Sequence, residues 1–228
     1  MDGGNGNEYQ EKVKLSNIFL NFSNMFDFVG NYGPFFLIFL SIWILYTSKY
    51  NTYIYYYVIG LIINTILNLL LKGAIQEPRP AYMSKTNPGA FQKKVKNILN
   101  TRHGIPFNLF GMPSGHAQTT LYTLTFMYFV FFNKGMMGLG FGTGLDYNQK
   151  HSRGWLVIFT FLIVGGIILF QRVLFGHHTS FQVVVGFIIG VFVGWGFYYI
   201  GKQKIKGVLR ERDDDNALWS HKIGAGFL

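Results

Sequence analysis

The sequence predicts an all-α integral membrane protein: a helical bundle of about five transmembrane helices, with an additional N-terminal interfacial helix. Three observations carry that prediction. Half of the 228 residues are hydrophobic and 18% are aromatic, whereas only 13% are charged, which is sparse charge for a soluble domain. The charges collect between long apolar runs, as they do where such runs are buried in lipid. Tyr53, Tyr55, Tyr56, Tyr57, Tyr198 and Tyr199, with Trp155 and Trp195, stand at or near the ends of those runs, where amphipathic rings meet the headgroups.

Taken in order, residues 1–14 are polar and rich in glycine and asparagine. They are expected to be disordered, and without a basic n-region they do not read as a cleavable signal peptide. In residues 15–29, Leu15, Ile18, Phe19, Phe22, Met25, Phe26 and Val29 recur at three- and four-residue spacing, with Asn17, Asn21, Asn24 and Asp27 between them. That pattern predicts an amphipathic helix lying in the interface rather than crossing it. The first span is expected after Gly33-Pro34, over 35–47, and the others over 53–71, 117–132, 155–170 and 183–200. Several are shorter than the roughly 20 residues a bilayer requires, so their ends extend into the polar flanks. Gly186, Gly190 and Gly194 share one face of the last helix, where small residues four apart let membrane helices pack closely. The membrane domain is thus expected over 15–200, followed by a basic and acidic tail over 201–228.

The net charge of +10 fits lysines and arginines beside anionic headgroups. No basic helix or RNA-type motif accompanies it, so nucleic acid is not an expected partner. Without cysteine, disulfides, thiolate catalysis and cysteine-ligated metals are excluded for this chain. Lys202, Lys204, Lys206, Arg210 and Arg212 closely follow the last span and predict a cytoplasmic tail. The segments 72–113 and 172–178 then face a lumen or the exterior.

Three polar groups converge on that face. Lys72, Glu77 and Arg79-Pro80 follow the second span; Gly111-Met112-Pro113-Ser114-Gly115-His116 opens the third; Arg172, His177, His178 and Gln182 join the fourth to the fifth. A helix starting near Ser114 offers unpartnered N–H groups and a positive dipole end to an anion, and Gly115 allows close approach. With a lysine, two arginines and histidines beside it, this is a phosphate-handling set. Glu77 is the lone carboxylate in it, too few for a two-metal phosphatase, so no metal is expected. Histidine can serve as both nucleophile and proton donor near neutral pH.

Lys72 with Arg79-Pro80, then Pro113-Ser114-Gly115-His116, then Arg172 with His178, occurring in this order, resemble the type-two phosphatidic acid phosphatase and vanadium haloperoxidase superfamily. The resemblance implies that Lys72, Arg79, Ser114, Gly115 and Arg172 bind phosphate, that His116 is the general acid, and that His178 forms a phosphohistidine. Two positions depart from the common pattern: Gln171 replaces a serine, and Gln182 replaces the aspartate one turn after the nucleophile. A glutamine there is similar to the dolichyldiphosphatase branch, as are His178-Thr179-Ser180-Phe181-Gln182-Val183, Gln76-Glu77-Pro78-Arg79-Pro80, Gly111-Met112-Pro113-Ser114, and Asn64, Asn68 and Lys72 spaced four apart. Gly115 departs from that branch, which commonly has a second serine. Gln182 can accept a hydrogen bond from His178 but supplies no charge to it.

The resemblance implies a lipid phosphatase without cofactor, acting on a polyprenyl (dolichyl) diphosphate, in the endoplasmic reticulum with a lumenal site. A lipid phosphate monoesterase and a non-catalytic phospholipid-binding relative are the alternatives. His177 is expected in a surface or packing role and Glu77 as the ion-pair partner of a nearby cation. Asn64 and Asn68 either bond between helices or line a path to Lys72. Within 91–105, Phe91, Val95, Ile98 and Leu99 share a face apart from Lys93, Lys94 and Lys96. Both an interfacial helix over the site and a solvated loop fit that pattern.

Overall fold

The computed structural model describes residues 5–47, 52–80, 90, 93–98, 106–132 and 147–224, with side chains left undescribed at 5–19, 22, 147–155 and 205–224. Five long helices carry the described fold: α1 (Asn5–Thr47), α2 (Thr52–Ile75), α3 (Gly115–Phe132), α4 (Tyr147–Leu174) and α5 (Ser180–Gly224). Four segments are long and apolar enough to cross a bilayer: Ser23–Thr47, Thr52–Ile75, Leu156–Leu174 and Ser180–Lys204. Their outward residues, among them Phe39, Trp43, Leu70, Phe159 and Phe192, are exposed large hydrophobics, as a lipid-facing surface requires.

The fifth expected span, α3, is not in that apolar set, and its position explains why. It packs against each of the other four helices, so most of its surface meets protein, with Tyr128 left exposed. Gln118, Thr120 and Thr123 are fully buried there, and Gln118 finds its partners on α2. Gln118 Nε2 donates to the backbone oxygen and Oδ1 of Asn64, at 2.9 and 3.0 Å, and Asn68 Nδ2 donates to Gln118 Oε1 at 2.7 Å. Asn64 and Asn68 thus serve interhelical bonding. Below this polar seam, Tyr57, Tyr122, Phe126, Met127, Phe131 and Tyr198 form the apolar core.

The glycine stripe packs as expected. A Cβ at Gly186, Gly190 or Gly194 would lie 2.6, 2.3 or 2.6 Å from the backbone oxygens of Ser114, Gln118 or Tyr122. These glycines let α5 rest directly on the backbone of α3.

The expectation of a separate interfacial helix ending before Gly33-Pro34 is corrected. Residues 15–29 belong to α1, which continues through Pro34 as one helix of 43 residues. Proline removes one hydrogen bond, but interrupting the helix at membrane depth would expose several unpaired backbone groups, so the helix continues. Of its polar stripe, Asp27 meets α4, with Gln171 Nε2 donating to Asp27 Oδ1 at 2.6 Å, while Asn21 and Asn24 are exposed. Helix α1 includes residues 5–14 of the segment expected to be disordered, and α5 includes 201–224 of the basic and acidic tail.

Candidate active site

The three sequence blocks meet at one end of the bundle, held together by main-chain bonds. Pro78 and Phe110 form an antiparallel bridge, flanked by Gly111 N–H donating to Glu77 O at 2.7 Å and Arg79 N–H donating to Leu109 O at 3.2 Å. Ser114 N–H donates to Gln182 O at 3.1 Å, and His178 N–H to Arg172 O at 3.0 Å. First block pairs with second, second with third. Behind the bridge, Val95 packs with Leu109 and Phe110, while Lys93, Lys94 and Lys96 on the helical turn 93–98 are exposed. The expected division of that segment therefore holds for its described part; Phe91 and Leu99–Ile105 lie outside the described residues.

Local sequence sets each functional side chain. Helix α4 ends near Gly176, whose φ of 66° is the left-handed conformation that glycine adopts without strain at a helix C-terminus. The chain reverses there and starts α5 with a capping box. Gln182 N–H donates to Thr179 Oγ1 at 3.2 Å and Thr179 N–H to Gln182 Oε1 at 3.3 Å. At α3, fully buried Ser114 is the cap, receiving Ala117 N–H at 3.5 Å. The Gly115 and His116 N–H groups of the first turn have no helical acceptor and are available to an anion.

Gln182 organises the site. It is fully buried, and its Nε2 donates to Glu77 Oε1 at 2.8 Å and to Pro78 O at 3.0 Å. Its Oε1 stands 3.2 Å from His178 Nδ1. Two acceptors at Nε2 and a backbone donor at Oε1 fix the orientation of the amide. His178 Nδ1 must therefore carry the proton, which leaves the lone pair of the neutral ring on Nε2. A Cβ at Gly111 would come within 2.4 Å of Gln182 Oε1, so the glycine that opens the second block is the floor on which Gln182 lies.

His178 is buried, and its pKa is lowered from 6.5 to about 3, first by burial and then by the Arg79 charge. Gln182 and the Gly111 backbone oppose the shift, and Lys72 adds to it. The unliganded ring is thus neutral at physiological pH, the form a nucleophile needs. Arg172, buried at 3% exposure, ends α4 facing α1 and donates from Nη2 to Asn31 Oδ1. Its Nε is buried without a partner among the described residues. His116 Nε2 meets the Asn31 backbone oxygen at 3.2 Å; a carbonyl only accepts, so that nitrogen holds a proton.

The sequence-predicted set is thus brought together: Lys72 and Arg79 act electrostatically on His178, Ser114 bonds through its backbone to Gln182, and Arg172 and His116 share Asn31. Asn68 supports the second block, its Nδ2 lying 3.3 Å from Pro113 O, and its Oδ1 would be 3.1 Å from a Cβ on Gly115. Asn64 stands a turn further into the bundle, off the site. His177 is partly exposed, stacks on Phe175 and reaches Asp27 at 3.9 Å, in keeping with a packing role. Glu77 departs from its expected part: its partner among the described residues is the Gln182 amide rather than a cation. Sequence reasoning missed Asn31. Its signal was the polar spacing of Asn24, Asp27 and Asn31 continuing into an apolar span. Among the described residues no three His, Asp or Glu side chains group as metal ligands.

No solved structure matches the chain. A dolichyldiphosphatase of Saccharomyces cerevisiae is 28% identical over 153 residues, covering 67% of this chain and 51% of that protein, so the chain spans about half the length of the curated relative it matches. The three stapled blocks all fall within residues 49–206, which match the family model of the PAP2 superfamily, whereas α1, with Asn31, falls outside. With that match over most of its length, the chain belongs to the PAP2 superfamily.

Proposed function

We propose that the protein is a membrane lipid phosphatase that removes the terminal phosphate of a polyprenyl diphosphate, such as dolichyl diphosphate, through a phosphohistidine and without metal. The observation that carries the reading is the fixed tautomer of His178, a neutral ring with its lone pair on Nε2, beside Arg79 and Lys72. In the reaction, His178 Nε2 attacks the terminal phosphorus while the bond from phosphorus to the bridging oxygen breaks. The bridging oxygen takes a proton from His116, leaving polyprenyl monophosphate. With Nε2–H of His116 held by the Asn31 carbonyl, the proton given is a second one on Nδ1, so the ring enters this step as the imidazolium beside the anionic substrate and leaves it neutral. Lys72, Arg79, Arg172, Ser114 and the Gly115 N–H hold the phosphoryl oxygens in line and offset the developing charge. Water, deprotonated by His116, then breaks the N–P bond, releasing phosphate and restoring both histidines.

A diphosphate leaving group is less basic than an alkoxide and tolerates a nucleophile without a directly paired carboxylate, which supports diphosphate over monophosphate esters. The relative's name, dolichyldiphosphatase, supports the same choice; we place the site on the lumenal side of the endoplasmic reticulum, opposite the basic residues that follow the last span. The decisive assay offers purified protein dolichyl diphosphate and phosphatidate side by side in EDTA. Phosphate release from the diphosphate, abolished in His178→Ala, is expected. Faster release from phosphatidate would replace the substrate with a lipid monophosphate. No release from either, with His178→Ala the same as wild type, would leave a non-catalytic phospholipid-binding relative.

A further inference from the structure

We propose that Glu77 is a positioning residue for the nucleophile, delivering its carboxylate charge to His178 through the Gln182 amide. The proposal rests on the phosphatase reading and concerns how the nucleophile is held and its charge is met.

The contacts form a directed chain. His178 Nδ1–H donates to Gln182 Oε1 at 3.2 Å, and Gln182 Nε2–H donates to Glu77 Oε1 at 2.8 Å. A carboxylate accepting from an amide N–H raises electron density on that amide's oxygen, strengthening what the oxygen accepts in turn. When His178 Nε2 bonds to phosphorus, the ring still carries its Nδ1 proton and becomes cationic. The charge then faces an amide oxygen polarised by Glu77, two hydrogen bonds away from the carboxylate. Burial of His178 and Gln182 limits screening along that part of the relay, whereas Glu77 is half-buried.

The same geometry explains why residue 182 is glutamine. An aspartate there would put a carboxylate where Gln182 Nε2 now meets Glu77 Oε1 and Pro78 O, gathering three acceptors around no donor. Glutamine supplies the donor, and its extra methylene reaches both His178 and Glu77. The carboxylate stands one side chain further from His178, on the first block. Glu77 and Gln182 are therefore a matched pair.

The test compares wild type, Glu77→Gln, Glu77→Asp, Gln182→Asp and the double variant Glu77→Gln/Gln182→Asp, using dolichyl diphosphate in detergent. Glu77→Gln keeps the shape and an acceptor while removing charge. It should lower kcat about 10-fold, the scale for losing the outer partner of a functional histidine, with KM within about twofold of wild type. Glu77→Asp, with its charge retracted, should fall between. In the Gln182→Asp background the sign should reverse: the double variant exceeds Gln182→Asp alone, because the amide introduced at position 77 restores a donor between the two sites. A purely structural role for Glu77 would lower activity in both backgrounds. The His178 Nδ1–H proton resonance of substrate-free protein gives a readout independent of turnover, expected to move upfield in Glu77→Gln. Unchanged kcat and an unmoved resonance in Glu77→Gln, or a double variant worse than Gln182→Asp, would overturn the relay. If wild type releases no phosphate from any lipid, the phosphatase reading fails while the resonance still judges the relay.

Discussion

Replacing Asn31 by alanine removes one acceptor from the site and leaves the rest of its wiring in place. Arg172 Nη2 loses the Oδ1 it donates to, while His116 keeps its bond, since that goes to the Asn31 backbone oxygen. A hydrogen bond to a charged group contributes about 1.5–3 kcal/mol. Arg172 is 3% exposed and its Nε already has no partner among the described residues, so little water can replace the lost contact. If the loosened guanidinium loses that much interaction with the transition state, kcat/KM falls by about 10- to 100-fold. The assay is phosphate release from dolichyl diphosphate in EDTA, read beside the melting temperature in detergent. Asn31→Asp is the companion variant. It keeps an acceptor but sets a negative charge beside Arg172, and should raise KM for the anionic substrate. A kcat/KM for Asn31→Ala within about twofold of wild type, at unchanged melting temperature, would refute the assignment of α1 to the site.

Two further outcomes follow from the same contacts. Gly190→Ala puts a Cβ 2.3 Å from the Gln118 backbone oxygen, whereas nothing stands within 4 Å of Gly196. Alanine at the first should cost about 1–3 kcal/mol by overpacking, and at the second be neutral or slightly stabilising by helix propensity; melting curves of the pair that coincide would contradict the packing. His178, with its pKa lowered to about 3, should show ring proton resonances that do not titrate between about pH 5 and 8 in substrate-free protein, and a midpoint at the ordinary 6.5 would remove its burial from the account. The sign for stability follows. Below the ordinary 6.5 and down to about 3, the unfolded chain binds a proton that the native ring refuses, so this group makes the protein less stable as pH falls through that window.

Sequence by itself determined the membrane class, the helical runs, the glycine face of α5 and the three polar blocks. Each of these is a local or periodic signal: apolar length, four-residue spacing, a helix start or a short motif. It also drew attention to Gln182 through its departure from aspartate, but supplied no reason for that residue. The rest was settled only in the tertiary structure. Whether Pro34 divides α1 depended on the lack of competing water around its backbone, and whether the stripe at Asp27 and Asn31 faces headgroups or protein depended on where α4 lies. The high polar content of α3 made sense only once four helices were found around it. Glu77 and Gln182, far apart in the chain, became a pair because the bridge between Pro78 and Phe110 carries Glu77 to the start of α5. A hydrogen bond has direction and partners distant in sequence, so its meaning is set by the fold; hydrophobic periodicity has neither, and can be read from the chain alone.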